Sequence, residues 1–331
     1  MHRLSPADPL AQALHNLVGA EARSRLPAGE VLVEPMPSSR RVWRFTFPAG
    51  EYAVVGKFFA AYPPRAAADL SLAREYHHYL QLPALGLANG RGLVPRLLGR
   101  LPGLALGLLL EAVPGPDLDH LLLAAAVHHD WEPLGRGLEN LARLLALFHS
   151  RPVPINPVSP VPALAYMDKL ILRLQTAGLL SVEDRRALAE ERAAWERRFG
   201  EFADRQVLMH GDATPTNFLF PNGRAVALDL ERLRVGDRLW DLSWVAGELK
   251  HGWGWRTGNP DGAEGAIGHF FRAYLAATDL DPALTRRLYG LNPFYMALAE
   301  LRIARNRYLA WEYRRELVAE ARRCLSHGRR L

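Results

Sequence analysis

The chain of 331 residues contains one cysteine, Cys324, so no intrachain disulfide can form and nothing calls for an oxidising compartment. Long apolar runs are also missing. The best stretch, residues 104–113, is interrupted by Glu111 and falls well short of the roughly 18 residues a membrane span needs. The opening MHRLSPADPL has no apolar core behind its positive charge, so a cytoplasmic location is expected. Lysine is scarce: it stands only at 57, 169 and 250, leaving 38 of the 41 basic residues as arginine. With the abundant alanine, leucine and proline, this reads as coding bias. It does not read as a nucleic-acid-binding stripe, despite a net charge of +6. A lysine kept against that bias marks a place that needs a compact ammonium. No G-x-S-x-G elbow occurs, which removes the common hydrolase reading. His77-His78 and His128-His129 lack an i, i+4 histidine, which argues against zinc.

The length is about twice the ~150 residues of a single domain. With 49% hydrophobic and 23% charged residues, the chain has room for two lobes with a real core. After an amphipathic segment at 6–18, β-branched and aromatic patches at 30–35, 41–47 and 52–59 read as three short strands joined by PSS and PAGE turns. Residues 65–82 have helical spacing, with Leu70, Ala73, Tyr76 and Leu80 able to share a face. Residues 93–100 and 104–113 read as two more strands about a Pro-Gly turn. This predicts a small, mostly antiparallel sheet with one main helix packed on it. From Pro114-Gly115-Pro116 onward, helical patterns dominate, interrupted by strand-like pieces at 206–209, 217–220 and 225–230. The expected architecture is α+β in two lobes, 1–113 and 114–331, with a hinge near the boundary.

The chemistry concentrates at Met209-His210-Gly211-Asp212-Ala213-Thr214-Pro215-Thr216-Asn217, which has the form H-x-D-x4-N, with Asp229 twelve residues after Asn217. Phosphoryl transfer needs this set of oxygens. One carboxylate orients the attacking hydroxyl and accepts its proton, while an amide oxygen and a second carboxylate hold Mg²⁺ against the phosphates. Such chemistry also needs a lysine for the α/β-phosphates and a glutamate to orient it. Lys57, ending the third apolar strand, and Glu75, on the following helix, are the candidates.

These residues resemble the aminoglycoside phosphotransferase / choline kinase-like family, of the protein kinase-like fold, with its HGD-x4-N loop and following I-D-[WFL]-E strand. Here the latter is Ala227-Leu228-Asp229-Leu230-Glu231, and residues 234–243 are similar to the family's G-D-P-x-x-D-L-A segment. The likeness runs from about residue 31 to 249. It implies a two-lobed Mg²⁺-dependent phosphotransferase, with ATP or GTP as donor and a small-molecule hydroxyl as acceptor. By the resemblance Asp212 is the catalytic base, Asn217 and Asp229 ligate magnesium, and Asp237 and Asp241 are scaffold. Residues 108–115 look like the family's adenine-reading hinge, flanked by Glu111 and Val113. The loop 35–41 has no glycine, so phosphate would be cradled there by backbone N–H groups and the hydroxyls of Ser38 and Ser39. Glu231 is either a substrate-side group or a surface acid.

Between 231 and 268, six acids face five lysines and arginines. That near balance favours a sugar, amino alcohol or lipid-linked metabolite over a polycationic aminoglycoside-like acceptor. Trp240 and Trp244 are expected in the core, and Trp253 and Trp255, between glycines, on an exposed ligand-stacking surface. The nine arginines of 302–330 read as a solvated face able to make peripheral membrane contact. Two other readings stay open. One is a protein kinase, which the absence of an Ala-Pro-Glu segment after Asp229 disfavours. The other is a non-catalytic nucleotide-binding scaffold, which the full set of Lys57, Asp212, Asn217 and Asp229 disfavours.

Overall fold

Alternating apolar residues make the first third of the chain a sheet. In the computed structural model, which describes residues 2–22, 29–36, 41–48, 52–59, 65–87, 92–101 and 107–329, the strands are β1 (His2–Leu4), β2 (Val31–Met36), β3 (Arg41–Phe47), β4 (Tyr52–Phe58), β5 (Leu97–Leu101) and β6 (Gly107–Glu111). They form one antiparallel sheet in the order β1-β2-β3-β4-β6-β5. Strand β1 was not expected, being three residues long; it pairs His2 with Val33, and Arg3 reaches Glu30 at 3.1 Å. One sheet face carries Phe45, Phe47, Val54 and Phe58, packed with Ala11, Leu14 and Val18 of helix α1 (Pro9–Ala22). Gly56 lets this face close, since a Cβ there would lie 2.8 Å from the Phe45 ring.

Side chains alternate along a strand, so Lys57, between Gly56 and Phe58, turns to the opposite face. Helix α2 (Arg65–Gln81) lies on that side. Its buried stripe is Ala68, Leu72, Glu75 and Tyr79, whereas Leu70 and Leu80 are 67% and 55% exposed. The face shared by Leu70, Ala73, Tyr76 and Leu80 is therefore not the buried one. A glutamate and a tyrosine occupy the buried stripe and two leucines face solvent, which inverts the hydrophobic pattern that periodicity relies on.

The chain divides into two compact units: Met1–Pro114 with Val226–Arg232, and Gly115–Ala225 with Leu233–Leu331. A short later segment thus belongs with the sheet. The second unit is mostly helical: α3 (Leu118–His128), α4 (Trp131–His149), α5 (Val161–Thr176), α6 (Val182–Phe199), α7 (Leu239–Thr257), α8 (Glu264–Ala276), α9 (Pro282–Ala304) and α10 (Trp311–Gly328). Between α6 and α7 run β7 (Val207–Met209), β8 (Phe218–Leu219), β9 (Val226–Ala227, of the first unit) and β10 (Arg234–Gly236). The fold is the expected protein kinase-like α+β type.

Helix α6 starts with a reciprocal cap, in which Ser181 Oγ accepts from the Asp184 N–H at 3.0 Å and Asp184 accepts from the Ser181 N–H at 2.9 Å. Helix α7 runs through Gly252 and Gly254 and ends at Gly258, whose φ of 71° caps it. Gly252 is needed inside it, because a Cβ there would stand 2.6 Å from Leu122. Among the described residues no helix is long and apolar enough to cross a membrane.

Candidate active site

In the first unit, Lys57 Nζ donates to Glu75 Oε2 at 2.7 Å and to Asp229 Oδ1 at 2.6 Å, with Glu231 Oε2 at 4.0 Å. Lys57 and Glu75 are buried, so the ordinary solvent screening of an ion pair is absent. Burial pulls the lysine pKa down, but Glu75 and Asp229 outweigh it and raise it overall. Burial pushes the Glu75 carboxyl up to about 7, against the pull of Lys57 and with the help of the Asp229 and Glu231 charges. The 226–232 segment is fixed to α2 by His78, whose Nδ1–H donates to the Leu230 carbonyl at 2.7 Å. Asp229 has φ 53°, a left-handed conformation that a non-glycine residue holds only when its surroundings enforce it.

Oxygens of Glu75, Asp229 and Glu231 lie within 4.8 Å of one another. Three carboxylates face the Lys57 ammonium and the Arg232 guanidinium, whose Nε lies 3.7 Å from Glu231 Oε1, and the ligand set is entirely hard oxygen. Such a set suits a hard cation such as Mg²⁺ and does not suit zinc. Glu231, left undecided from sequence, is part of this cluster.

The Glu111 carboxylate accepts from the Arg96 N–H at 3.3 Å, holding the start of the connector. Two residues on, Val113 has no hydrogen-bond partner for its N–H or C=O among the described residues. Ser38 and Ser39 lie outside the described residues.

In the second unit, β7 pairs with β10, Met209 opposite Arg234, and delivers the chain to the His210–Asn217 loop. Gly211 turns it at φ 82°. The loop is pinned from α7: Asp241, fully buried, accepts from the His210 N–H at 2.7 Å and the Gly211 N–H at 2.8 Å. Burial would raise the Asp241 pKa, but the His149 hydrogen bond and the other donors overcome it and lower it. Asp212 and Asn217 are half-buried, and the Asn217 amide N–H₂ donates to the Asp212 carbonyl at 2.9 Å. That bond leaves the Asn217 side-chain oxygen as the end available for ligation. His210 is buried against the Phe218 ring, centroids 5.2 Å apart, and its Nδ1 accepts from the Asp212 N–H at 3.3 Å. It packs within the loop.

Asp237 receives both ends of Arg287 at 2.9 and 2.6 Å and the Tyr295 hydroxyl at 2.6 Å. It holds α7 to α9.

His149 was not singled out from sequence, and Glu248 was counted there only as one of the six acids of 231–268. His149, buried at the end of α4, donates from Nε2 to Asp241 at 3.2 Å while Nδ1 accepts from Tyr274 at 2.8 Å. Burial lowers its pKa, which keeps it neutral. A histidine on the buried stripe of an amphipathic helix was the only available signal. Glu248 of α7 pairs with Arg302; burial raises its pKa, and the charges of Asp212 and Asp119 add to this against the opposing pull of Arg302.

The tryptophan expectation needs correction for Trp253, which is 7% exposed and stacks on Trp131 at 4.8 Å, while Trp255 is 54% exposed. Helix α7 continues through both, so one side of the run faces the core. Trp240 and Trp244 join Tyr166 and Tyr295 in an aromatic cluster.

A family model described as the phosphotransferase enzyme family matches residues 36–291. Among solved structures, the chain is similar to the ADP-bound aminoglycoside phosphotransferase APH(2'')-Ib, at 13% identity and TM-score 0.58, covering 95% of this chain and 98% of that one. Choline kinase LicA from Streptococcus pneumoniae gives 14% identity and 0.56, covering 97% and 100%. A glucosamine kinase gives 18% and 0.55, covering 95% and 83%. At these identities the structures show the fold alone. No curated protein matches the chain in sequence. The family match spans the buried lysine, the HGD loop and the carboxylate cluster together, and the chain belongs to the phosphotransferase enzyme family.

Proposed function

We propose that the protein is a Mg²⁺-dependent small-molecule kinase that moves the terminal phosphoryl group of ATP or GTP to a hydroxyl. The observation that carries this reading is the triple contact of Lys57 with Glu75, Asp229 and Glu231, which joins residues far apart in sequence in one carboxylate cluster. Lys57, aimed by Glu75, gives its ammonium to the α/β-phosphates. By the family resemblance Asp229, with Glu231 beside it, and Asn217 would be the ligands of the cation, and Mg²⁺ bound by them would neutralise phosphate charge. The Asp212 carboxylate orients the acceptor hydroxyl and takes its proton. The unpartnered backbone of Val113 suits recognition of a base edge, beside Glu111, and the 35–41 loop with Ser38 and Ser39 covers the phosphates.

The acceptor favoured here is a hydroxyl compound of low net charge: a sugar, amino alcohol or lipid-linked metabolite. Every acid between 231 and 268 has a cationic or histidine partner. Arg302 holds Glu248, Lys250 holds Asp261 and Glu264, Arg287 holds Asp237 and His149 holds Asp241. A polycation would have to break those pairs. The test is thermal stabilisation by ATP and GTP with and without Mg²⁺, then nucleoside diphosphate release across a panel of hydroxyl compounds, with Asp212→Ala as background. Stabilisation that needs Mg²⁺ and disappears in Asp229→Ala is expected; no shift with either nucleotide overturns the assignment.

A further inference from the structure

The arginines of the C-terminal region do not form one solvated face. In α10, Arg314 binds the Ala304 carbonyl, Arg315 and Arg322 bind Asp184 and Arg323 binds Glu320, and Arg329, just past its end, binds Glu191. Arg302, upstream, holds Glu248. Arg305 and Arg307, in the turn between α9 and α10, have no ion-pair partner among the described residues, and neither has Arg173 in the last turn of α5.

These three line one groove of about 380 Å³, with Leu172, Leu174, Thr176 and Ala177 as its other walls and no acid among them. The carbonyl ends of α5 and α9 bring roughly half a negative charge each, which three full guanidinium charges outweigh. Beside the groove the surface is apolar and aromatic. Leu172 is 62% exposed, Tyr308 82% and Trp311 45%. The Trp311 ring is held next to the groove wall, 3.9 Å from where a Cβ of Gly178 would stand.

We infer that this corner is a docking site for an anionic bilayer, with a lipid phosphate headgroup in the arginine groove and Leu172, Tyr308 and Trp311 at the level of the acyl boundary. Unpaired arginines alone would serve any polyanion. The exposed leucine and amphipathic rings set beside them are what water or a nucleic-acid backbone does not reward and a membrane interface does. The inference is independent of the phosphotransfer assignment, because it needs neither nucleotide nor Asp212.

The test is co-sedimentation of the full chain with vesicles of phosphatidylcholine alone and of phosphatidylcholine mixed with phosphatidylglycerol. Binding to the mixed vesicles only, weakened by salt, is expected. Each arginine near an anionic surface contributes about fivefold in partitioning, so Arg173→Gln/Arg305→Gln/Arg307→Gln loses roughly a hundredfold. The control Arg136→Gln/Arg186→Gln/Arg197→Gln removes the same charge from exposed sites elsewhere and retains most binding, which separates the groove from general basicity. Leu172→Ser leaves the arginines in place and also weakens binding. Equal loss in both triple variants, or no vesicle binding at all, overturns the proposal. So does binding of glycerol phosphate or duplex DNA at the groove without binding of vesicles. Unchanged thermal unfolding of each variant shows that the loss is not one of folding.

Discussion

Replacing Asp241 by asparagine should separate the scaffold of the catalytic loop from its chemistry. Asp241 is fully buried and accepts from two consecutive backbone N–H groups, of His210 and Gly211, and from His149. Asparagine offers one oxygen and one N–H₂, so in either orientation a donor faces a buried backbone N–H. One charge-assisted hydrogen bond is lost, about 1.5–3 kcal/mol, and one buried N–H is left without an acceptor, about 1–3 kcal/mol. The sum, about 2.5–6 kcal/mol, is a large part of the ~5–15 kcal/mol that holds a typical domain folded. Urea unfolding followed by tryptophan fluorescence measures it as a lower midpoint with unchanged slope. Asp212→Asn is the counterpart: half-buried and outside this fork, it should move stability by less than ~0.5 kcal/mol and cut turnover by about 10²–10⁴. If Asp241→Asn unfolds at the wild-type midpoint, the fork does not hold the loop and the reasoning fails.

Lys57→Met should abolish Mg²⁺-nucleotide stabilisation and raise the Glu75 pKa further, read as a shift in the pH dependence of thermal unfolding. The Glu75 pKa of about 7 lies above its ordinary 4.5, so its contribution to stability is full below 4.5 and is lost as pH rises through about 7. Glu75→Gln should therefore gain relative to wild type across that window, and a pH-independent difference would contradict the assigned shift. His251 has the opposite sign. Burial first, then Arg256 and Arg302, lower it to about 4, so its contribution is present above 6.5 and is lost as pH falls toward 4. His251→Gln should flatten that acid limb of the wild-type profile. Gly247→Ala places a Cβ 2.6 Å from the Ala299 Cβ where α7 meets α9, and calorimetry should show a loss of about 1–3 kcal/mol.

Much of this was legible in the chain, and for specific reasons. Helix α6 begins and ends where a capping serine and a glycine flank it. The lysine bias also carried information: Lys57 and Lys250 are buried, each against at least two carboxylates, while Lys169 is exposed. What failed were inferences that equate apolar with buried. On α2 a glutamate that serves Lys57 occupies the core stripe, so the leucines mark the exposed face. Counting acids against bases between 231 and 268 also missed partners outside that window, among them Asp119 for Arg256, Arg302 for Glu248 and Glu320 for Lys250. His149 could not be read as an anchor, because its role exists only once α4 and α7 are adjacent.

The return of residues 226–232 to the first unit has a consequence for how the chain is born. The sheet strands and α2 are complete by Glu111, but Asp229 follows Lys57 by 172 residues. Asp229 comes 118 residues after Glu111, and at about 5–20 residues per second a ribosome takes roughly 6–24 s to supply it. Through that interval, of the lysine's three carboxylate partners only Glu75 is present, and the six-stranded sheet is complete while residues 226–232 of its unit are still missing. A fragment ended at Pro114 would be frozen at that stage of synthesis, and adding a peptide of residues 226–232 in trans would test whether the wait is for those residues alone.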